Sequence, residues 1–375
     1  MIKSIKIGTR SSKLALYQSN LVKDKLLGSS PNLKISIVEI KTKGDIDRLY
    51  DKSIVIDTLC VGQDWDSEEL DALDKSGYTG IQTSLANRTW DSALKSIAEW
   101  NDRIDANPEV FLKATKASHF RQAKKEDKVA VLYGHQNATM IENKIDRLDI
   151  LHDLGTRCIQ LTYNSRNLLG DGCTERTNAG LSDFGVAAVK RMNKLGIIVD
   201  LSHCGKQTSY DGIKFSDPPA CFTHTMCEAL YPGHPRAKTN DQLLHVAGKG
   251  GMIGIAALGY FVGPDPGGKT TIETYLDHID HAVKLVGIDH VGLCTDFQIH
   301  GIKAWATKET WYEPRLKSFK PSYNVKWPPW IPELDEPSRF RNVTYGLHSR
   351  GYSERSIEKI LGLNWLNYFE KVLRG

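Results

Sequence analysis

Short apolar runs recur along most of the chain and are separated by longer stretches with helical periodicity. Eight of these runs, the first beginning at Ile54, have the length and composition of buried β-strands. They cover residues 54–57, 79–84, 128–134, 157–163, 196–202, 219–224, 251–257 and 290–296. The helices predicted between them include residues 138–154, 182–195, 240–249, 272–286 and 353–373. This alternation predicts an α/β fold, a (β/α)8 TIM barrel, with a doubly wound open sheet as the alternative.

A different pattern precedes the first of these strands. Residues 4–9 and 33–40 alternate apolar and polar side chains, which is typical of half-buried strands. A helix is predicted between them, with Ser11 or Ser12 as its N-cap. Its apolar face would consist of Leu14, Tyr17 and Leu21. Residues 42–45 are polar, contain a glycine and are predicted to be the exit from a short N-terminal β-α-β appendage.

One long connection follows the eighth predicted strand. Residues 298–340 show no strand or helix period and are rich in tryptophan, tyrosine and proline. A connection of this length within a compact domain is usually functional or disordered, and the aromatic content argues against disorder. We therefore predict a lid over the mouth of the barrel. The alternatives are a hydrophobic brace and a contact between subunits.

Composition narrows the class of protein and its partners. Among 375 residues, 40% are hydrophobic and 25% are charged, and 49 basic against 45 acidic residues give a net charge of +4. Basic residues do not cluster with aromatic ones, so a nucleic-acid partner is not expected. The seven cysteines contain no C-x-x-C pair, and neither a signal peptide nor a membrane-spanning segment is recognisable. We therefore expect reduced thiols, a cytoplasmic location and no membrane partner.

Candidate chemistry lies where the predicted strands end, because active sites of TIM barrels form at the carboxyl ends of the strands. His203, His224 and Asp296 each follow one apolar run, while residues 135–137 and 163–164 follow two others. A single histidine at a strand end is more often a structural residue. Two histidines and an aspartate on one rim predict a metal site or an acid-base site.

Several blocks of sequence carry a family resemblance. They are MNKLGIIVDLSHCGKQTSYDGIKFSDPPACFTHTMCEAL, HPRAKTNDQLLHVAGKGGMIGI and VGIDHVGLCTDF. From about Ser53 onward the chain resembles the renal (membrane) dipeptidase family, peptidase family M19. The resemblance implies a TIM barrel of the metal-dependent hydrolase type. In that family two zinc ions, bridged by a glutamate and a hydroxide, promote attack of the hydroxide on a dipeptide carbonyl.

The resemblance also implies roles for individual residues. His203 and His224 match the two later histidine ligands of the metal and would take part in catalysis. Asp296 matches the aspartate that assists proton transfer. Arg236 matches the arginine that binds the substrate carboxylate, to which a planar guanidinium is well suited. Tyr163 stands where relatives have a histidine that contacts substrate.

Other metal-ligand positions do not match the family. Leu59 and Val61 occupy the positions of the first-strand His-x-Asp pair, and Gln136 occupies the position of the bridging glutamate, where it could still contact substrate. Leucine and valine offer no lone pair, and a neutral amide cannot bridge two cations. We therefore expect one zinc ion at most, on the two later histidines, completed by Asp296 or a water. The adjacent His135 could substitute for the glutamate or could point away.

The expected function is hydrolysis of a dipeptide or a similar small carboxylated amide. Two alternatives remain open: a metal-free barrel enzyme that uses the same residues as acid-base groups, and a non-catalytic ligand-binding protein. A small molecule is the expected partner. A homodimer is a further possibility, by analogy with family members alone.

The N-terminal region carries a second resemblance. The stretches KSIKIGTRSSKLALYQSNLVKDKLL and IVEIKTKGD are similar to the start of porphobilinogen deaminase. In that family the segment matched by Arg10 and Ser12 binds acidic groups of the cofactor and product chain. The downstream aspartate segment and the cofactor-attaching cysteine have no counterpart, so deaminase activity is not expected. We predict two domains, a deaminase-like fragment at residues 1–50 and a dipeptidase-like barrel at residues 51–375.

Overall fold

The computed structural model describes residues 4–10, 12–39, 41–62 and 65–374. Internal contacts divide the chain into two compact units, Met1–Lys52 and Ser53–Gly375. Among the described residues, no helix combines the length and apolar character that crossing a membrane would require.

The first unit contains two parallel strands and two helices. They are β1 (Ser4–Thr9), α1 (Lys13–Ser29), β2 (Lys34–Glu39) and α2 (Lys43–Lys52). The predicted β-α-β order is confirmed, with Ser4 paired to Lys34 at the start of the ladder. Ser12 is the N-cap of α1, since its Oγ accepts a hydrogen bond from the Ala15 amide at 3.2 Å. Ser11 and Ile40, which the sequence placed in the cap and in the second strand, lie outside the described residues.

The predicted polar exit at residues 42–45 is wrong, because helix α2 begins there. The Asp45 carboxylate accepts hydrogen bonds from the Thr42 amide at 2.8 Å and from the Thr42 hydroxyl at 2.7 Å. This local pair organises the first turn of the helix. The predicted apolar face of α1 is largely exposed, with Leu14 and Tyr17 at 67% and 62% of full exposure.

The second unit is a parallel β-barrel. Its strands are β3 (Ile56–Cys60), β4 (Gly80–Leu85), β5 (Phe111–Lys113), β6 (Val129–His135), β7 (Thr156–Gln160), β8 (Ile198–Asp200), β9 (Phe222–Thr225), β10 (Ile253–Ala256) and β11 (Val291–Cys294). One sheet has the order β3-β4-β6-β7-β8 and the other has the order β9-β10-β11. Each of the eight predicted strands is present, and β5 is an unpredicted addition that pairs with β6 outside this path. The (β/α)8 TIM barrel is confirmed.

Two seams join the sheets into a closed barrel. Single parallel bridges pair Asp200 with Cys221 at one seam and Cys60 with Phe297 at the other. A buried aspartate reinforces each seam. The Asp200 carboxylate accepts from the amide and hydroxyl of Thr223, and the Asp57 carboxylate accepts in the same way from Thr295. These carboxylates replace ladder hydrogen bonds where the strands separate.

Helices surround the barrel. They are α3 (Ser67–Ser76), α4 (Trp90–Ala106), α5 (Ser118–Glu126), α6 (Arg147–Asp153), α7 (Asp183–Leu195), α8 (Lys206–Phe215), α9 (Asn240–Gly248), α10 (Gly259–Val262), α11 (Ile272–Val286), α12 (Glu313–Ser318), α13 (Arg339–Ser349), α14 (Glu354–Glu358) and α15 (Asn364–Val372). The helix predicted over 138–154 is broken into a 3-10 turn, Thr139–Ile141, and α6. The helix predicted over 353–373 contains a π-helical turn, Lys359–Leu363, between α14 and α15.

One cluster of the hydrophobic core lies where the C-terminal helix α15 packs against the strands of the barrel. Trp365 of α15 is fully buried and packs in one cluster with Ile56, Leu132 and Ile198 of three strands. Gly292 of β11 leaves room for the Trp365 indole, which a side chain at that position would strike. Burial of these groups holds the strands rigidly, so that the residues at their carboxyl ends keep a fixed geometry.

Candidate active site

A cavity of about 620 Å³ lies at the carboxyl ends of the strands. Its inner wall consists of residues at or just after the carboxyl ends of the strands, among them Ser84, Gln136, Tyr163 and Asp296. Its outer wall comes from the segment 298–340, as the predicted lid requires. The residues that this segment contributes are Gln298, Ile302, Trp311, Pro314, Arg315, Ser318, Phe319 and Tyr323. The cavity has the size and position of a small-molecule site in a TIM barrel.

The two predicted histidine ligands form a buried pair beside this cavity. The Nε2 atoms of His203 and His224 are 2.9 Å apart, and both side chains are inaccessible to solvent. The Tyr163 ring stacks on the His203 imidazole with its centroid at 4.1 Å, and it also lines the cavity. Burial, reinforced by the positive charge of Arg236, lowers the pKa of both histidines well below its usual value. The pair is therefore neutral in the absence of a ligand.

Hydrogen bonds at the opposite ring nitrogens set the tautomers of this pair. His203 Nδ1 lies 2.7 Å from the Asn164 Oδ1 atom, which can only accept. His224 Nδ1 lies 2.8 Å from Thr223 Oγ1, whose own proton is directed to the Asp200 carboxylate at 2.7 Å. Both Nδ1 atoms are therefore the donors in this network. Both Nε2 lone pairs then face each other, an arrangement that a small cation between them would stabilise.

The two Nε2 atoms, 2.9 Å apart, would supply two ligands to a single metal ion. A catalytic zinc normally takes three ligands from the protein. Within the described ranges, no group of three or more histidine, cysteine, aspartate or glutamate side chains is arranged to hold a metal. Leu59 and Val61 occupy the positions where the sequence resemblance implies two metal ligands, and the Gln136 amide donates to Ser84 Oγ at 3.0 Å. At these three positions no carboxylate or imidazole is present to hold a second ion.

His135 does not replace the missing carboxylate. Its Nδ1 lies 2.8 Å from the Ala86 carbonyl oxygen and its Nε2 lies 3.2 Å from Thr156 Oγ1. Burial lowers the pKa of His135 to about 4. Both ring nitrogens are therefore used in linking neighbouring segments, and the imidazole is a structural group.

Asp296 faces the cavity from the end of β11. Its backbone has a left-handed conformation, with φ at +68°, and its amide donates to the Leu59 carbonyl at 2.9 Å. Burial raises the pKa of Asp296 to about 7, against the opposing effect of the positive charges of Arg236 and Arg315. A carboxyl group with this pKa can both accept and release a proton near neutral pH.

The three predicted substrate-binding residues are placed differently. Tyr163 and Gln136 line the cavity, and burial raises the pKa of the Tyr163 hydroxyl to about 12. Arg236 does not line it and is fully buried. Two nitrogens of its guanidinium donate to the backbone carbonyls of Ser202 and His224, and its Nε has no partner among the described residues. The structure thus brings Asp296, Tyr163 and Gln136 together on the cavity wall, whereas Arg236 lies outside this lining but near enough for its charge to act on Asp296.

Sequence patterns did not point to every residue of the cavity. Arg315 lies on α12 with its guanidinium 3.9 Å from the ring centroid of Trp311. Tyr260, on the short helix α10, and Tyr323, in the lid, also line the cavity. The sequence could have drawn attention to Arg315 as an arginine within a segment that is rich in aromatic residues. The two tyrosines have no periodicity or motif that marks them.

The chain is similar to known proteins over most of its length. A model of the membrane dipeptidase family, peptidase family M19, matches residues 52–308. The chain belongs to the membrane dipeptidase family. The family resemblance predicted from the strand-end blocks is therefore confirmed. A second family model, the dipyrromethane cofactor-binding domain of porphobilinogen deaminase, matches residues 5–55, where the sequence resembled the start of that enzyme.

Several individual proteins are similar to this M19 chain. Dipeptidase tcpJ of Claviceps purpurea is 29% identical over 69% of this chain and 55% of its own length. Dipeptidase verJ of Clonostachys rogersoniana is 29% identical over 69% of this chain and 59% of its own length. The chain thus spans somewhat more than half the length of these curated relatives. An amidohydrolase structure from Pseudomonas aeruginosa has 30% identity and a TM-score of 0.78, covering 88% of this chain and 99% of that one.

Proposed function

We propose that this chain is a hydrolase of dipeptides or similar small carboxylated amides, with at most one metal ion on His203 and His224. The observation that carries the proposal is the pair of Nε2 lone pairs that face each other beside the cavity. The dipeptidase names of the curated relatives support the substrate class. Loss of the other family ligands supports the limit of one ion.

The residues of the site have complementary roles in this proposal. A metal ion on the two histidines would supply Lewis acidity and lower the pKa of a bound water. Asn164 and Thr223 hold the imidazoles in the tautomer that leaves Nε2 free. The Asp296 carboxylate accepts the proton of the attacking water and returns it to the nitrogen of the leaving amine. Tyr163 stays protonated and donates a hydrogen bond to the substrate, while the lid excludes bulk water.

A metal-free reaction in the same cavity is the second candidate. Tyr163 lies against His203, and neither histidine lines the cavity, whereas Asp296 does. General-base catalysis by the Asp296 carboxylate would not require access to the histidine pair. Its pKa of about 7 suits that role as well.

Metal content and turnover, measured together, separate the two candidates. The protein is stripped with a chelator, reloaded with zinc and analysed by mass spectrometry of bound metal, with hydrolysis of a dipeptide panel followed in parallel. We expect no more than one ion per chain, loss of turnover on stripping and recovery on reloading. His224→Asn should lose the ion, whereas His245→Asn, at an exposed histidine of α9, should keep it. Two tightly bound ions would refute the proposal, and full turnover after stripping would favour the metal-free reaction.

Three sequence predictions remain proposals. We propose that residues 1–50 form a domain distinct in origin from the barrel at 51–375, and that it has no deaminase activity. The cytoplasmic location and a homodimeric assembly likewise stay predictions from composition and family analogy.

A further inference from the structure

A second cavity, of about 250 Å³, lies beside the segments that follow β7, β8 and β9. It has no described lining residue in common with the cavity at the strand ends. Lys238, which is 1% exposed, forms part of its wall. We infer that this second cavity binds a small oxyanion, such as inorganic phosphate, through the Lys238 ammonium group. Oxyanion binding at this place does not depend on the proposed hydrolysis.

Lys238 is a buried cation whose partners are neutral. Its Nζ donates to the Cys204 carbonyl at 2.9 Å and to Ser209 Oγ at 3.4 Å. The same nitrogen lies 4.9 Å from the centroid of the Phe222 ring. Within the described ranges, none of the ion pairs includes Lys238. Because an ammonium group has three donors, one donor and the whole positive charge lack an anionic partner in this part of the chain.

The charges near Lys238 do not neutralise it. Burial lowers the pKa of Lys238 to about 8, the positive charge of Arg236 acts in the same direction, and the Asp200 carboxylate acts against both. Asp200 is itself engaged by the hydroxyl groups of Ser202 and Thr223 at the seam of the barrel. A buried cation without a counter-ion is costly for the folded state. An anion in the second cavity would remove this cost.

The first turns of two helices help to line the second cavity. The lining residues from these turns are Gly205 and Lys206 of α8 and Thr239 and Gln242 of α9. The N-terminus of α9 is closed by its own capping box, whereas Gly205 offers no side chain to cap α8. Asn178 Oδ1 accepts from the Gln207 amide of α8 at 2.7 Å. The ten residues of α8 give its N-terminal turn a partial positive charge, which favours an anion beside Lys238.

The charges of the lining define the kind of anion. They are the cations Lys206 and Lys238 and the acid Glu228, which give the second cavity an excess of one positive charge. Its volume is below the range of about 300–1,000 Å³ that is typical of sites for larger organic ligands. A lysine ammonium group beside a helix N-terminus is a common arrangement for binding phosphate and similar oxyanions.

His234 adds a further donor to the same wall. Its Nδ1 accepts from the Arg236 amide at 3.2 Å, so the proton of the neutral ring is on Nε2. Burial lowers the pKa of His234 to about 3, with Arg236 acting in the same direction and the backbone of Tyr323 acting against it. Among the described residues, no acceptor meets the buried Nε2 at hydrogen-bond geometry. An oxyanion would bring an acceptor to this wall.

Titration of inorganic phosphate into the full chain at constant ionic strength, followed by calorimetry, tests the inference. Lys238→Met keeps the length of the side chain and removes its charge, and should weaken phosphate binding at least about 10-fold. Lys206→Gln removes an exposed charge of the lining and should weaken binding about 2- to 5-fold. Two controls should leave the phosphate affinity unchanged. They are Lys249→Gln, at an exposed lysine that follows α9, and Arg315→Gln, at a cation of the cavity at the strand ends.

Urea unfolding gives a second measurement, which a lysine with a purely structural role would not affect. Lys238→Met should be more stable than the wild type in phosphate-free buffer, because it removes a buried charge without a counter-ion. Phosphate should then reduce this difference, since it binds and stabilises the folded wild type alone. A difference in stability that phosphate leaves unchanged would count against the inference.

The outcomes of the titration decide the inference. Saturable phosphate binding that requires Lys238 would uphold it. Unchanged affinity in Lys238→Met, or no saturable binding to the wild type at millimolar phosphate, would overturn it. Loss of binding in Arg315→Gln would also overturn it, by placing the anion in the cavity at the strand ends. If Lys238→Met does not fold, Lys206→Gln decides, because weaker binding upholds the inference and unchanged affinity overturns it.

Discussion

Replacing Asp296 by asparagine should stabilise the fold at alkaline pH while it abolishes hydrolysis. Burial raises the pKa of this carboxyl from 3.8 to about 7, so the folded state favours the protonated form. The resulting contribution to stability is present at low pH and is lost as the pH rises through the folded pKa of about 7. Above that pH the charged carboxylate costs the native state at most about 4 kcal/mol. Water in the cavity reduces this figure, and we expect a gain of about 1–3 kcal/mol for Asp296→Asn at pH 8.

Urea unfolding of metal-free wild type and variant at pH 5 and pH 8 measures this effect. The free energy of unfolding of Asp296→Asn should exceed that of the wild type by more at pH 8 than at pH 5, with unchanged m values. Asp102→Asn, on the exposed side of α4, controls for the substitution itself. A gain that is equal at both pH values, or a variant that is less stable at pH 8, would refute the reasoning from burial.

Two further predictions concern the lost metal site and the core. Gln136→Glu alone should leave the zinc content at no more than one ion per chain, because Leu59 and Val61 still offer no lone pair. A second ion, detected by mass spectrometry of bound metal, would contradict this. Trp365→Ala should lower the free energy of unfolding by about 3–5 kcal/mol, since it empties a large buried volume in the core. A decrease of less than about 1 kcal/mol in the free energy of unfolding, measured in urea, would show that the Trp365 indole does not fill this part of the core.

The sequence predicted the barrel well because strands buried on both faces form continuous apolar runs. The strand β5 was missed, since Phe111–Lys113 is too short to show a pattern. The start of α2 was missed for a different reason. Thr42 and Asp45 have the spacing of a helix-capping pair, but the intervening Gly44 favours the interpretation as a turn.

The candidate site was predictable only in part. The rule that chemistry follows the strands predicted the strand-end positions of His203, His224 and Asp296, because the position of a strand end is a property of the local sequence. The hydrogen bonds that occupy Arg236 depend on carbonyls brought near by the fold, and no local pattern encodes them. Arg315 was missed because lid segments follow no period.

The two seams of the barrel help to decide whether the histidine pair binds a ligand or only stabilises the fold. Asp200 closes one seam through Thr223, and the same threonine sets the tautomer of His224. Asp57 closes the other seam with equivalent hydrogen bonds, yet Leu59 stands at the strand end beside it. Closing a seam therefore does not require a histidine. The imidazoles donate hydrogen bonds through Nδ1, but the contact between their two Nε2 lone pairs is costly without a cation. This contrast supports a ligand-binding role for the pair.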